Sequence, residues 1–287
     1  NGNFDCKGIE IIYMDSLPKI ININGKAIIS KSAVEFEIFS GDSDGLVVKS
    51  GEVKLFDLDT DTEKAFVSLD IFSLNDDVVN YLKKTTIEKQ NYSKLEKISG
   101  NTDLNLILEF PLLVDLMANQ INYKAKANIS NGNLSNLYKD FSIEDLNLNI
   151  DVTEELVNFS GEGSLFKSKI KFNGDQIFVD DILKDSIKGK FYFDISNLKP
   201  VFNQFISQKQ GIVEIDFVMQ DQENEFKLEG VGDLENVTMV SDFLGPNLSF
   251  ENGKVRFLIS PYNNKLSGFL DIKTNNINVE INSIFSN

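Results

Sequence analysis

The 287 residues include no histidine, so the commonest general base and metal ligand is missing from the chain. Ser-His and Cys-His nucleophile pairs are excluded with it. Carboxylates remain, and they fall in adjacent pairs at Asp76-Asp77, Glu144-Asp145, Glu154-Glu155 and Asp180-Asp181. Such pairs can act as acid and base or take calcium when geometry allows. None lies in an EF-hand loop or a repeated acidic turn, so they read as a solvated acidic surface. Gly161-Glu162-Gly163 and Gly230-Val231-Gly232 look like pieces of a phosphate loop, but each sits inside a strand pattern and neither opens a helix. They read as bulges or bends. Cys6 is the single cysteine, unable alone to make an internal disulfide or a thiolate metal site, and reads as a free thiol. No catalytic residue, metal site or cofactor is predicted, and the protein is expected not to be an enzyme.

Composition places the chain among folded proteins, with 41% hydrophobic and 25% charged residues. The 44 acidic against 28 basic residues give a formal net charge of -16. Phosphate backbones and anionic membrane surfaces repel such a chain over most of its surface, so nucleic acid is excluded as the expected partner. No run of about eighteen apolar residues is present, and the opening Asn-Gly-Asn is neither an initiator methionine nor a signal peptide. The chain is expected to be a fragment or mature piece, with any membrane anchor outside it.

The elements that must position whatever the chain does are strands. The clearest stretch runs from Ser99 to Gly174. There Leu104, Leu106, Leu108 and Phe110 alternate with Asp103, Asn105, Ile107 and Glu109, and Leu146, Leu148, Ile150 and Val152 alternate with Asn147, Asn149 and Asp151. Successive side chains on a strand point to opposite faces, so each run has one apolar and one mostly wet face, the mark of antiparallel sheet. Earlier runs follow the same rule. Ile21 to Gly25 reads as a strand running into a turn, Val34 to Phe39 as a strand ending in the turn residues Ser40 to Gly45, and the pattern through Val53 and Leu55 is broken at Gly51. Later strands at Val213 to Met219, Phe226 to Leu228, Val255 to Ile259, Leu266 to Ile272 and Ile277 to Ile281 are punctuated by turn signals at Gly230 to Gly232, Gly245-Pro246-Asn247, Glu251-Asn252-Gly253 and Asn263-Asn264.

Helical spacing interrupts this twice. Asp76 to Lys84 carries acids in its first turn, lysines in its last, Val78, Tyr81 and Leu82 on one stripe, and Asn75 as a cap. A second short helix is expected over Pro200 to Gln208, with Val201, Phe202, Phe205 and Ile206 on one face. The fold class that follows is all-β: a long, strongly curved antiparallel sheet of repeated hairpins with two short helices. It is read as one segment over residues 1–287, with a soft boundary near 85–98. The apolar faces are rich in phenylalanine, 23 in all, with no tryptophan. Pattern alone leaves two readings open, a sealed hydrophobic core in a structural or adhesive module and an open apolar channel.

A resemblance favours the second. Ser99-Gly100-Asn101-Thr102-Asp103-Leu104-Asn105-Leu106, Phe110-Pro111-Leu112, Ile121 to Ala127, Phe141-Ser142-Ile143 and Leu156 to Gly163 together resemble the middle of the AsmA-like family, the YhdP and TamB type. Tyr13 to Gly25, with Leu17-Pro18 and Asn24-Gly25, is similar to the opening of the same region, and Asp76 to Lys84 lies where that region has a short helix. The resemblance implies a periplasm-spanning protein of Gram-negative envelopes, anchored in the inner membrane, whose curved sheet carries phospholipids toward the outer membrane on its apolar inner face. Acyl chains are then expected on Leu104, Leu106, Leu108 and Phe110; on Tyr123, Ala125 and Ile129; on Leu146, Leu148 and Ile150; on Phe159 and Phe172; on Phe191, Phe193 and Ile195; and on Val213, Ile215 and Phe217. Envelope protein partners remain unassigned by the resemblance.

Overall fold

A computed structural model describes residues 2–12, 18–84, 97–117, 120–138, 141–179, 182–197, 208–222, 225–234, 237–241, 245–250, 253–262, 265–273 and 278–285. The chain divides into two compact units, 1–154 and 155–287. The division falls between Glu154 and Glu155, and most of the 85–98 segment lies outside the described residues. Both units are antiparallel β, as period two requires.

In the first unit every strand hydrogen-bonds to its neighbour in sequence. The elements are β1 (Gly2–Ile11), β2 (Ile20–Ile29), β3 (Ala33–Ser43), β4 (Leu46–Phe56), β5 (Lys64–Leu74), α1 (Asn75–Lys84), β6 (Ile98–Pro111), β7 (Asn122–Tyr138) and β8 (Phe141–Val152). Eight strands run in the order β1 to β8, and among the described residues no pairing closes β8 back onto β1. Despite the insertion of α1, β5 and β6 pair in unbroken register from Lys64 opposite Pro111 to Leu74 opposite Asn101.

The second unit holds β9 (Leu156–Leu165), β10 (Ser168–Val179), β11 (Ile182–Asp194), a 3-10 turn at Ile195–Asn197, β12 (Gln208–Gln210), β13 (Ile212–Gln222), β14 (Glu225–Asp233), β15 (Val237–Ser241), β16 (Gly245–Phe250), β17 (Lys254–Tyr262), β18 (Lys265–Lys273) and β19 (Asn278–Phe285). Its main sheet runs β9-β10-β11-β13-β14-β17-β18-β19, and β12-β15-β16 form a separate three-stranded sheet.

Several sequence expectations are corrected. Asn24-Gly25 is no turn, because β2 continues through it to Ile29. Gly51 does not break β4. Gly245-Pro246-Asn247 lies in β16, and Gly230-Val231-Gly232 lies inside β14. Gly161 and Gly163 are likewise paired in register with Phe172 and Ile170, with no bulge. Ile195 leaves the strand and enters the 3-10 turn, where it is 2% exposed. The expected second helix falls largely on residues 198–207, outside those described, and its end at Gln208 is strand instead.

The first helix is present as expected. α1 buries Val79, and its Val78 and Tyr81 pack against a core of Ile20, Ile23, Ile38, Leu46, Val48 and Ile71. Burying each such aliphatic side chain contributes about 1.5–3 kcal/mol. The start of the helix is tied to the sheet through buried Asn75, whose Nδ2 donates to the Ile98 carbonyl at 2.7 Å, while Thr102 Oγ1 donates to Asn75 Oδ1 at 3.5 Å.

Candidate functional site

Cross-strand register shows which side chains share a face, since directly paired residues point the same way. In the first unit one row reads Phe36, Val53, Val67, Leu108 and Tyr123 on β3 to β7. The next row reads Ile38, Gly51, Leu69, Leu106, Ala125 and Val152 on β3 to β8. A third joins Val48, Ile71, Leu104, Ala127 and Ile150. These are continuous apolar rows, with strands about 4.8 Å apart along each.

Cover on this face is uneven. Toward the rim where α1 lies, Ile23, Ile38, Val48, Ile71, Ile129 and Leu146 are buried. Toward the opposite rim, Val34, Leu55, Val67, Leu108, Phe110 and Tyr123 are half-buried, while Ala27, Phe36 and Ala65 in the same rows are buried. Burial is heaviest on the side where Val78 and Tyr81 of α1 pack, and lighter toward the opposite rim. The predicted residues therefore sort into two groups. Leu104, Leu106, Leu108, Phe110, Tyr123, Ala125 and Ile150 offer surface, whereas Ile129, Leu146 and Leu148 are sealed at 3%, 0% and 6% exposure. Val53, Leu55 and Val67 belong to the same open strip, and their own alternation was the signal by which the sequence could have placed them there.

In the second unit the apolar face is paved differently. One row alternates glycine and phenylalanine across six neighbouring strands: Gly161, Phe172, Gly189, Phe217, Gly230 and Phe257. The Phe217 ring lies where a methyl group on Gly189 would come within 2.8 Å of its Cζ, and a methyl group on Gly230 would fall inside the Phe257 ring. Glycine is used here for the space it frees under an aromatic neighbour. The adjoining row carries Ile170, Phe191, Ile215, Gly232 and Val255. Phe159 and Phe172 have ring centroids 6.4 Å apart, and Phe191 and Phe193 are 5.4 Å apart. Phe159, Phe172, Phe191, Phe193, Ile215 and Phe217 are half-buried. Val213 and Ile195 are sealed in a cluster with Leu234 and Val237 at one end of the face.

The opposite face of each unit is mostly polar, with Val47 in the first unit and Val218 and Val231 in the second exposed among its charged and amide side chains. Asp70 accepts from Asn105 Nδ2 and Ser50 Oγ, each at 2.9 Å, and those hydrogen bonds, Asn105's first, hold its carboxyl below the usual range. Lys49 bonds Asp103 at 2.6 Å and lies 4.5 Å from the centroid of the Phe72 ring, shielding an aromatic group that points to the wet side. In the second unit Lys190 pairs with Glu214 and, at 3.4 Å, with Asp216. The carboxylate pairs remain scattered. Asp76 and Asp77 sit in the first turn of α1, Glu144 and Asp145 are exposed on β8, Glu154 and Glu155 are exposed where the units divide, and Asp180-Asp181 lies outside the described residues. Among the described residues no group of three or more His, Cys, Asp or Glu side chains is placed to hold a metal ion, and no helix is long and apolar enough to cross a membrane.

No family model, curated protein or solved structure matches this chain. The two faces of the sheet are therefore what speak to function.

Proposed function

We propose that this chain is a segment of a non-enzymatic conduit for phospholipids between the inner and outer membranes of a Gram-negative envelope. In this reading it lies in the periplasm, anchored in the inner membrane through a segment outside the chain, as AsmA-like proteins are. The observation that carries the reading is the pair of continuous apolar strips, half-buried side chains in register on strand after strand with a polar face behind them. Water against such a strip is unfavourable, and acyl chains remove it at about 0.8 kcal/mol per buried methylene. Apart from Tyr123, these rows of Leu, Val, Ala and Phe offer no polar anchor, so a chain can slide along them without meeting a deep well.

A second reading, a structural or adhesive module with a sealed core and no lipid, is favoured by the buried cluster beneath α1. Photo-crosslinking residues placed in the full-length protein in its envelope separate the two. Phospholipid adducts are expected at Leu106 and Phe193, on the open strips, and not at Asn105 or Asp194 on the polar face. Leu148, on the apolar face but sealed, should give none. Adducts at neither Leu106 nor Phe193 in folded protein would leave the sealed module as the function.

A further inference from the structure

The turn between β9 and β10 is built from residues ill suited to its shape. Leu165 pairs with Ser168, which leaves Phe166 and Lys167 as a two-residue loop with φ angles of 53° and 58°. Two consecutive left-handed residues make the hairpin turn that favours Asn-Gly. Elsewhere the same chain uses Asp44-Gly45 at such a turn, with φ of 50° and 91°. Phe and Lys both carry a Cβ that this conformation strains. The strained turn nevertheless sets Lys167 among the residues that line an open groove of about 540 Å³ on the face of the second unit opposite its apolar rows.

Lys167, Lys169 and Lys171 line that groove together with Ser168, Asp194 and Tyr192, the last being the cross-strand partner of Lys169. Lys169 and Lys171 converge on one carboxylate, Glu162, at 3.2 and 3.4 Å. Their hydrogen bonds and charges, the hydrogen bond from Lys169 first, hold Glu162 below the usual carboxylate range. Lys167 has no acidic partner among the described residues. Ser168, 3% exposed, fixes the turn against β11 by accepting the Asp194 N–H at 3.1 Å, and Asp194 Oδ1 is occupied by the Ser196 N–H at 2.9 Å. Ile212, 58% exposed, forms an apolar wall. Three lysines set against the carboxylates of Glu162 and Asp194 leave one positive charge in excess, that of Lys167, beside an aromatic and an aliphatic surface, which matches a ligand that is anionic at one end and apolar at the other.

We infer that this groove binds an oxyanion joined to an apolar group, with Lys167 as the principal charge contact and Tyr192 and Ile212 against the apolar part. Lys169 and Lys171 point away from the apolar strip that Ile170 and Phe172 help to form, so the site stands whether or not that strip carries lipid. The test is calorimetric titration of the full chain with phenyl phosphate, inorganic phosphate and a short-chain phosphatidate. Phenyl phosphate should bind more tightly than inorganic phosphate, with affinity falling as salt rises. Lys167→Gln should weaken it about tenfold, as loss of one hydrogen bond to a charged group does. Tighter binding of the phosphatidate than of phenyl phosphate marks a lipid headgroup as the source, and the reverse order marks a soluble phosphate ester. Phe166→Asn combined with Lys167→Gly should raise the melting temperature while losing the binding, since it relieves the turn and removes the charge. No binding of any probe, or Lys167→Gln binding like the parent chain, overturns the site. Inorganic phosphate binding as tightly as phenyl phosphate overturns the apolar wall.

Discussion

Replacing glycines under the aromatic row tests whether space beneath the rings is what those positions supply. A methyl group at Gly189 would overlap the Lys171 carbonyl oxygen and stand 2.8 Å from Phe217 Cζ and 2.9 Å from Phe172 Cα. At Gly230 the nearest atoms all belong to the Phe257 ring. Overpacking of this kind costs about 1–3 kcal/mol, set against a gain of at most about 1 kcal/mol from stiffening the unfolded chain. Each Gly→Ala change is therefore expected to destabilise by about 1–2 kcal/mol, read as a lower denaturant midpoint with unchanged slope. The two sites should then respond differently to a second substitution. Phe257→Leu withdraws the atoms that Gly230→Ala strikes, so that pair should show a favourable coupling of about 1 kcal/mol in a double-mutant cycle. Phe217→Leu leaves the Lys171 carbonyl in place, so Gly189→Ala should stay uncompensated. Stability unchanged in either single variant, or equal rescue at both sites, would refute the idea that these glycines are chosen for cross-strand room.

Val79→Ala, which removes two methyl groups from a site 3% exposed under the sheet rim, should destabilise the first unit by about 1–3 kcal/mol in thermal or denaturant unfolding, and a neutral result would show that α1 is not docked. Asp70 has a folded-state pKa below its unfolded value, so its contribution is complete above the ordinary carboxylate range and is lost as pH falls through the folded pKa. The stability advantage of the parent chain over Asp70→Asn should consequently shrink on acidification, and an advantage that grew toward low pH would contradict the Asn105 and Ser50 hydrogen bonds.

Local alternation made the strands legible. Leu146, Leu148 and Ile150 against Asn147 and Asn149 announce both a strand and its buried side, and the structure buries the first two while exposing both asparagines. Asp76, Asp77, Val78 and Tyr81 announced α1 by charge placement and helical spacing. The glycines were misread because their meaning lies on another strand. Gly230 looks like a turn residue until Phe217 and Phe257 are placed on either side of it. Cover was equally invisible, since the alternation of Leu106 and of Leu148 is the same, yet one is half-buried and the other sealed. The lysine groove was hidden for a similar reason: nothing along the sequence sets Tyr192 beside Lys169, and the pairing of β10 with β11 does.

The sequential pairing of β1 to β8 constrains how such a chain can grow or shrink. In an antiparallel meander each strand reverses the one before, so successive connections alternate between the two rims. Loss of a single strand would invert the direction of every later strand and send each later connection to the other rim. Loss or gain of a hairpin leaves both rims, and the inside and outside of every remaining strand, as they were. Length is thus quantised in pairs of strands, and natural variants of this architecture are expected to differ by whole hairpins, each lengthening the apolar rows by about 10 Å without asking any other residue to change.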